Sequence, residues 1–134
     1  MAEQSEEVQE ALRRIQGQVD QSIRHAERMQ ELAAQIRTIS TEVTSPGGEL
    51  TVHVDVSGRL TNVVFTQDAL ALRPAQLTAL LLDALEEGYR RTSAESVALA
   101  ADTLGEQSPT VTKLRDNVDE YAPQIERPED GLLR

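Results

Sequence analysis

The stretch from residue 47 to residue 65, GGELTVHVDVSGRLTNVVF, limits what this chain can fold into. Every second residue of its first half is apolar, which is typical of a strand with one buried face: Leu50, Val52, Val54 and Val56. Ser57 and Gly58 predict a tight two-residue turn. The returning strand then places three residues on the face of the valines: Thr61, Val63 and Phe65. Because two strands alone are not stable in water, this hairpin, residues 49–66, requires helices to cover it.

A long amphipathic helix is predicted before the hairpin, over about residues 3–41. Its apolar residues recur at alternating steps of four and three, the heptad pattern of a coiled coil: Val8, Leu12, Ile15, Val19, Ala26, Met29, Ala33 and Ile36. Such a helix is about 57 Å long at 1.5 Å per residue. The hairpin strands span only about 20 to 25 Å at 3.3 Å per residue.

The helix therefore extends beyond its own sheet while still carrying an apolar stripe, which predicts a homodimer. The predicted interface residues are Leu12, Ile15, Val19, Ile23 and Met29. The alternative is that the extending part packs on the second helix of its own chain.

Residues 74–104 predict a second long helix, with Pro74 at its first position. One stripe of this helix joins mainly apolar residues: Leu77, Leu81, Ala84, Gly88, Thr92, Glu95 and Leu99. Residues 41–44 can add an edge strand. The predicted fold is therefore α+β, with a three-stranded antiparallel sheet between two long helices.

Beyond Gly105, a short helix is predicted to start at Ser108 and Pro109 and to carry an apolar stripe as far as Tyr121. The last residues are expected to be frayed. We therefore divide the chain into a dimerisation domain, residues 1–104, and an acidic C-terminal extension, residues 105–134. This extension either packs back on the domain or docks another protein.

The composition excludes several classes of protein. The chain has no Cys, which excludes disulfides, thiol catalysis and Cys-based metal sites. No apolar run approaches the roughly 20 residues of a membrane span, and the acidic N-terminus does not look like a targeting segment. We expect a cytoplasmic protein that binds neither a membrane nor a small-molecule substrate.

No catalytic motif is recognisable. His53 and Asp55 lie two residues apart on the outer face of a strand, but no nucleophile stands at a readable spacing from them. His25 has no partner at a metal-ligand spacing, and the turn glycines do not form a phosphate-binding loop. We therefore expect no enzyme activity, no cofactor and no metal.

The order of these elements resembles the YbaB/EbfC nucleoid-associated proteins over about residues 5–104. The most specific part runs from Gly48 to Phe65 and is followed by Asp68 and Leu70 or Leu72. The resemblance implies an intertwined homodimer of α-β-β-β-α protomers, in which paired helices project as two arms. It also implies sequence-tolerant binding of double-stranded DNA by these arms, and a place in the nucleoid.

The chain departs from this pattern in its charges. Members often carry Lys and Gln on the first helix, whereas this one has five Arg and seven acidic residues between Met1 and Thr41. Glu86 stands where many members have Asn. Some actinobacterial proteins of similar layout are associated with type VII secretion loci and are suspected of binding helical proteins. The alternative function is therefore a non-enzymatic adaptor for a helical partner.

The formal net charge of −10, from 23 acidic and 13 basic residues, disfavours DNA binding unless the arginines cluster in space. The candidates for phosphate contacts are Arg13, Arg14, Arg24, Arg28, Arg90 and Arg91. The alternative is that they pair with acidic residues four positions earlier: Glu10 with Arg14, Asp20 with Arg24, Glu86 with Arg90 and Glu87 with Arg91. Arg24 and Arg28 are the strongest candidates, one turn apart on one face near the apolar stripe.

Overall fold

The structure is a computed structural model of the chain, which describes residues 2–120, 122 and 124–126. Its elements follow one another in this order: α1 (Ala2–Arg37), β1 (Ser40–Thr44), β2 (Leu50–Asp55), β3 (Leu60–Phe65), a short 3-10 turn (Gln67–Ala71), α2 (Pro74–Leu104) and α3 (Pro109–Glu120). The chain divides into two units, Met1–Ala34 and Gln35–Arg134. No helix in the described part of the chain has the length and apolar character needed to cross a membrane.

The sheet of the second unit is antiparallel throughout, with the strand order β1-β2-β3. Leu50, Val52 and Val54 are fully buried, and α2 covers them. Val52 lies between Val43 of β1 and Val63 of β3, so the apolar residues of three strands share one face. The predicted α+β fold, with its three-stranded sheet and long helices, is confirmed.

The predicted end of the first helix at residue 41 is wrong. α1 ends at Arg37, and Ser40 and Thr41 pair with β2. Thr38 closes the helix, because its hydroxyl and its N–H both donate to the carbonyl of Gln35. Three of the four residues after Arg37 are β-branched, namely Thr38, Ile39 and Thr41. Such residues favour a strand over a helix.

The predicted two-residue turn between β2 and β3 is also wrong. Four residues, Val56 to Arg59, connect the strands, and Val56 therefore lies outside the strand. The Asp55 carboxylate accepts hydrogen bonds from the N–H groups of Ser57, at 2.9 Å, and Arg59, at 3.0 Å. A bulge between His53 and Val54 leaves Thr61 out of the pairing.

α2 has the predicted bounds. As far as Thr92, every residue of its predicted stripe is buried or half-buried. The stripe then departs from the prediction, because Glu95 is exposed and the burial continues through small residues: Ser93, Ser96, Ala100 and Ala101. The buried hydroxyls bond within the helix, Thr92 to the carbonyl of Gly88 at 2.8 Å and Ser96 to that of Ser93 at 3.0 Å. This back-bonding allows polar residues to be buried without an unsatisfied donor.

The short helix predicted in the extension is present as α3, and it packs back on α2. Val111 is fully buried, and the Tyr89 hydroxyl donates to the carbonyl of Val118 at 3.0 Å. Arg115 pairs with Glu106 at 2.6 Å. Tyr121 and most of the end that we expect to be frayed lie outside the described residues, and the domain boundary at residue 104 remains a prediction.

Candidate nucleic-acid interface

The middle of α1 presents its apolar stripe to solvent. Five large apolar side chains there are between 49% and 58% exposed: Val8, Leu12, Ile15, Val19 and Ile23. Four of the five predicted interface residues belong to this group, and the fifth, Met29, is half-buried. Exposed single apolar residues are ordinary on protein surfaces, but a stripe along one helix face indicates a surface for association.

The arginines of α1 lie on the other side of the helix. At 3.6 residues per turn, Arg13, Arg14, Arg24 and Arg28 fall on the half of the helix opposite the stripe that Leu12, Ile15 and Val19 form. Our expectation that Arg24 and Arg28 lie near the stripe is therefore wrong, although they do share one face. α1 thus separates an apolar face from a polar one, on which these four arginines lie.

Most of these arginines form no ion pair with the residues that the structure describes. Within that part of the chain, Arg13, Arg14 and Arg28 form no salt bridge. Arg24 donates from Nε to the backbone carbonyl of Asp20 at 3.4 Å, not to its carboxylate. Residues 11–28 include four arginines but only two acidic residues, Asp20 and Glu27. This part of α1 is locally cationic in a chain of net charge −10.

Arg13 is the weakest of the four candidates on α1. Three acidic residues, Glu6, Glu7 and Glu10, line the same depression as Arg13. Arg24 and Arg28 lie three to four turns further along the helix, beyond this acidic end. We therefore keep Arg24 and Arg28 as the leading candidates.

The two candidate arginines of α2 are in ion pairs. The Glu87 carboxylate contacts both of them. It forms an ion pair with Arg90, three residues later, and accepts a 2.8 Å hydrogen bond from Nε of Arg91. The expected pair of Glu87 with Arg91 is confirmed, and Arg90 pairs with Glu87 across three positions. The central role of Glu87 was not predicted from the sequence, because spacings of three and four both bring side chains together on a helix. A paired arginine offers less positive potential to a phosphate.

The histidine on the sheet has a partner that we did not predict. His53 Nε2 lies 3.5 Å from the Glu42 carboxylate, on the face of the sheet opposite α2. Its Nδ1 is buried and has no hydrogen-bond partner among the described residues. Glu42 stands directly opposite His53 in the register of β1 and β2, so the cross-strand pairing is the signal that could have found it.

No group of three or more potential ligands among His, Cys, Asp and Glu could hold a metal ion in the part of the chain that the structure describes. The glycines with positive φ, Gly48, Gly58 and Gly105, occupy turns and a helix end.

Comparison with known proteins places this arrangement in a family. The model of the YbaB/EbfC DNA-binding family matches residues 1–106 of the 134-residue chain. The match spans α1, the sheet and α2, and it ends before α3. A search of curated proteins finds no match.

Proposed function

The chain belongs to the YbaB/EbfC DNA-binding family, and from this premise we propose that it is a homodimeric nucleoid-associated protein that binds double-stranded DNA with little sequence preference. The observation that carries the proposal is that residues 11–28 of α1 have an excess of arginine on the half of the helix opposite an exposed apolar stripe. One helix can then pair with a second copy of the chain and face a phosphate backbone at the same time.

The dimer is supported by the exposed stripe of α1. Leu12, Ile15, Val19 and Ile23 are each about half exposed in the single chain. A second copy that covers the stripe would remove this apolar surface from water, at roughly 25 cal/mol per Å². Because a two-fold arrangement is closed, the same stripe serves both protomers and no further copies are recruited. The helical arms of the dimer would then present their arginines together.

The low sequence preference follows from the chemistry of the candidate residues. Arginine contacts to phosphates fix the position of a protein on duplex DNA and carry no sequence information directly. The same contacts release counterions, so the affinity must fall as salt is added. The acidic residues elsewhere on the chain limit the overall affinity, which fits a protein that coats DNA weakly. This function places the protein in the cytoplasm, on the nucleoid, and requires no enzyme activity.

The test is a fluorescence-anisotropy titration of the purified protein on a random-sequence duplex, over a series of salt concentrations. We expect saturable binding that weakens steeply as salt rises. The variant Arg24→Glu/Arg28→Glu should bind at least about tenfold more weakly at low salt, and its salt slope should be smaller by about 0.9 for each phosphate that it no longer neutralises.

The matched control is Arg59→Glu/Arg73→Glu. Both residues are exposed and belong to the second unit, and the change in net charge is the same. An equal loss of affinity in both variants would mean that net charge alone governs binding and that Arg24 and Arg28 form no site. No binding by the wild-type chain at low salt would contradict the DNA-binding proposal and favour the adaptor for a helical protein.

A further inference from the structure

α3, in a part of the chain that the family match does not reach, places a carboxylate in the same groove as Arg90 of α2. The hydrogen bond from Tyr89 to Val118 shows that α3 runs back along α2. Asp119, next to Val118, lines the same groove as Arg90. Since Val111 at the other end of α3 is fully buried, α3 is docked along its length.

The charges of α3 are unequally distributed. Its basic residues, Lys113 and Arg115, come first, and Arg115 is neutralised by Glu106. The acidic residues occupy the last turn and a half: Asp116, Asp119 and Glu120. The unpaired carbonyls at the C-terminal end of a helix add partial negative charge at the same place. The negative end of α3 is therefore the end beside Arg90.

We propose that α3 is an autoinhibitory segment, whose acidic end competes with duplex DNA for Arg90. This inference rests on the proposed function and adds the regulation of its α2 contacts. Carboxylates next to a guanidinium imitate the charge of phosphates, and Glu87 already contacts both arginines. DNA must therefore approach Arg90 against the negative potential of α3, and neutralising that end lowers this electrostatic barrier.

The test compares two variants with the same change in net charge. Asp119→Asn/Glu120→Gln neutralises the end of α3. Glu42→Gln/Asp68→Asn is the control, because Glu42 lies on the face of the sheet opposite α2 and Asp68 precedes α2 by six residues. Both pairs consist of exposed or half-exposed residues at the surface, so both variants should fold.

We expect the α3 variant to bind a random-sequence duplex about threefold more tightly at low salt, and the advantage to shrink as salt screens the charges. The control should gain clearly less. Adding Arg90→Gln/Arg91→Gln to the α3 variant should abolish the gain, which a general change in net charge would not do.

Equal gains in the α3 variant and the control, or a gain that survives the replacement of Arg90 and Arg91, would overturn the autoinhibition while leaving DNA binding intact. Binding by the α3 variant when the wild-type chain does not bind would support it strongly. If neither the wild-type chain nor any variant binds DNA at low salt, the proposed function and its regulation both fail.

Discussion

At the scale of single residues, Gly88 determines how closely α2 approaches the sheet. A Cβ atom at this position would lie 2.5 Å from Val54 Cγ2 and 3.6 Å from Val43 Cγ2. Both valines are buried in the core, where side chains are close-packed and have little freedom to move. At the other glycine inside a long helix, Gly17 of α1, such a Cβ would have no described atom within 4 Å apart from its chain neighbours and its own helix backbone.

These two glycines should respond to alanine in opposite ways. Gly88→Ala gains about 1 kcal/mol of helix propensity, but overpacking a core costs about 1 to 3 kcal/mol, so we expect a net loss of stability. Gly17→Ala gains the propensity alone and should raise helix content. Urea unfolding followed by circular dichroism measures both changes. If Gly88→Ala stabilises the protein as much as Gly17→Ala does, the sheet can yield and the close contact is not a constraint.

At the scale of elements, one buried hydroxyl holds the connection between β1 and β2. Ser45 Oγ accepts a hydrogen bond from the N–H of Leu50 at 3.1 Å and donates to the Glu49 carboxylate at 2.5 Å. This side-chain bond, followed by the backbone N–H of Glu49, lowers the pKa of Glu49 below its usual value. The carboxylate is thus part of the turn that starts the central strand.

Ser45→Ala should raise the pKa of Glu49 towards its usual value, about 4.3. Because the folded-state pKa lies below the unfolded one, Glu49 stabilises the fold above about pH 4.3, and this contribution is lost as pH falls through the folded value. The variant should therefore lose less stability on acidification. An NMR titration of the Glu49 side chain measures the shift, with Ser40→Ala on β1 as the control. An unchanged pKa in Ser45→Ala would assign the shift to the backbone donors.

The elements and the bounds of α2 were predictable from the sequence, but the end of α1 and the length of the hairpin loop were not. The period-two pattern predicts strands and the heptad stripe predicts a helix, because many residues along each element share one buried face. The end of α1 depends on a hydrogen bond from the Thr38 hydroxyl to a backbone carbonyl. The length of the hairpin loop depends on the hydrogen bonds that the Asp55 carboxylate accepts from backbone N–H groups. Each such hydrogen bond contributes about 1 kcal/mol to stability, and the periodic pattern of apolar residues does not reveal it.

At the scale of the whole molecule, net charge is a poor guide to where DNA can bind. The position of the α1 arginines opposite the apolar stripe follows from helix geometry and could have been derived from the sequence. The pairing of Arg90 with Glu87 could not, since it depends on which rotamer Glu87 adopts, whereas the pair of Glu87 with Arg91 was expected from its spacing. A chain of charge −10 thus keeps one locally cationic stretch, residues 11–28 of α1, while Glu87 pairs with two other arginines, Arg90 and Arg91.

The oligomeric state decides whether these arginines can act together. Val19 lies in the exposed stripe of α1, whereas Gln21 lies on the opposite side of the same helix. Val19→Glu places a charge in the proposed dimer contact and should give the 14.8 kDa mass of one chain in sedimentation equilibrium. The wild-type chain and Gln21→Glu, which adds the same charge outside the contact, should both give twice that mass. A wild-type monomer at micromolar concentration would remove the dimer from the proposed function, because α1 would then present its arginines singly.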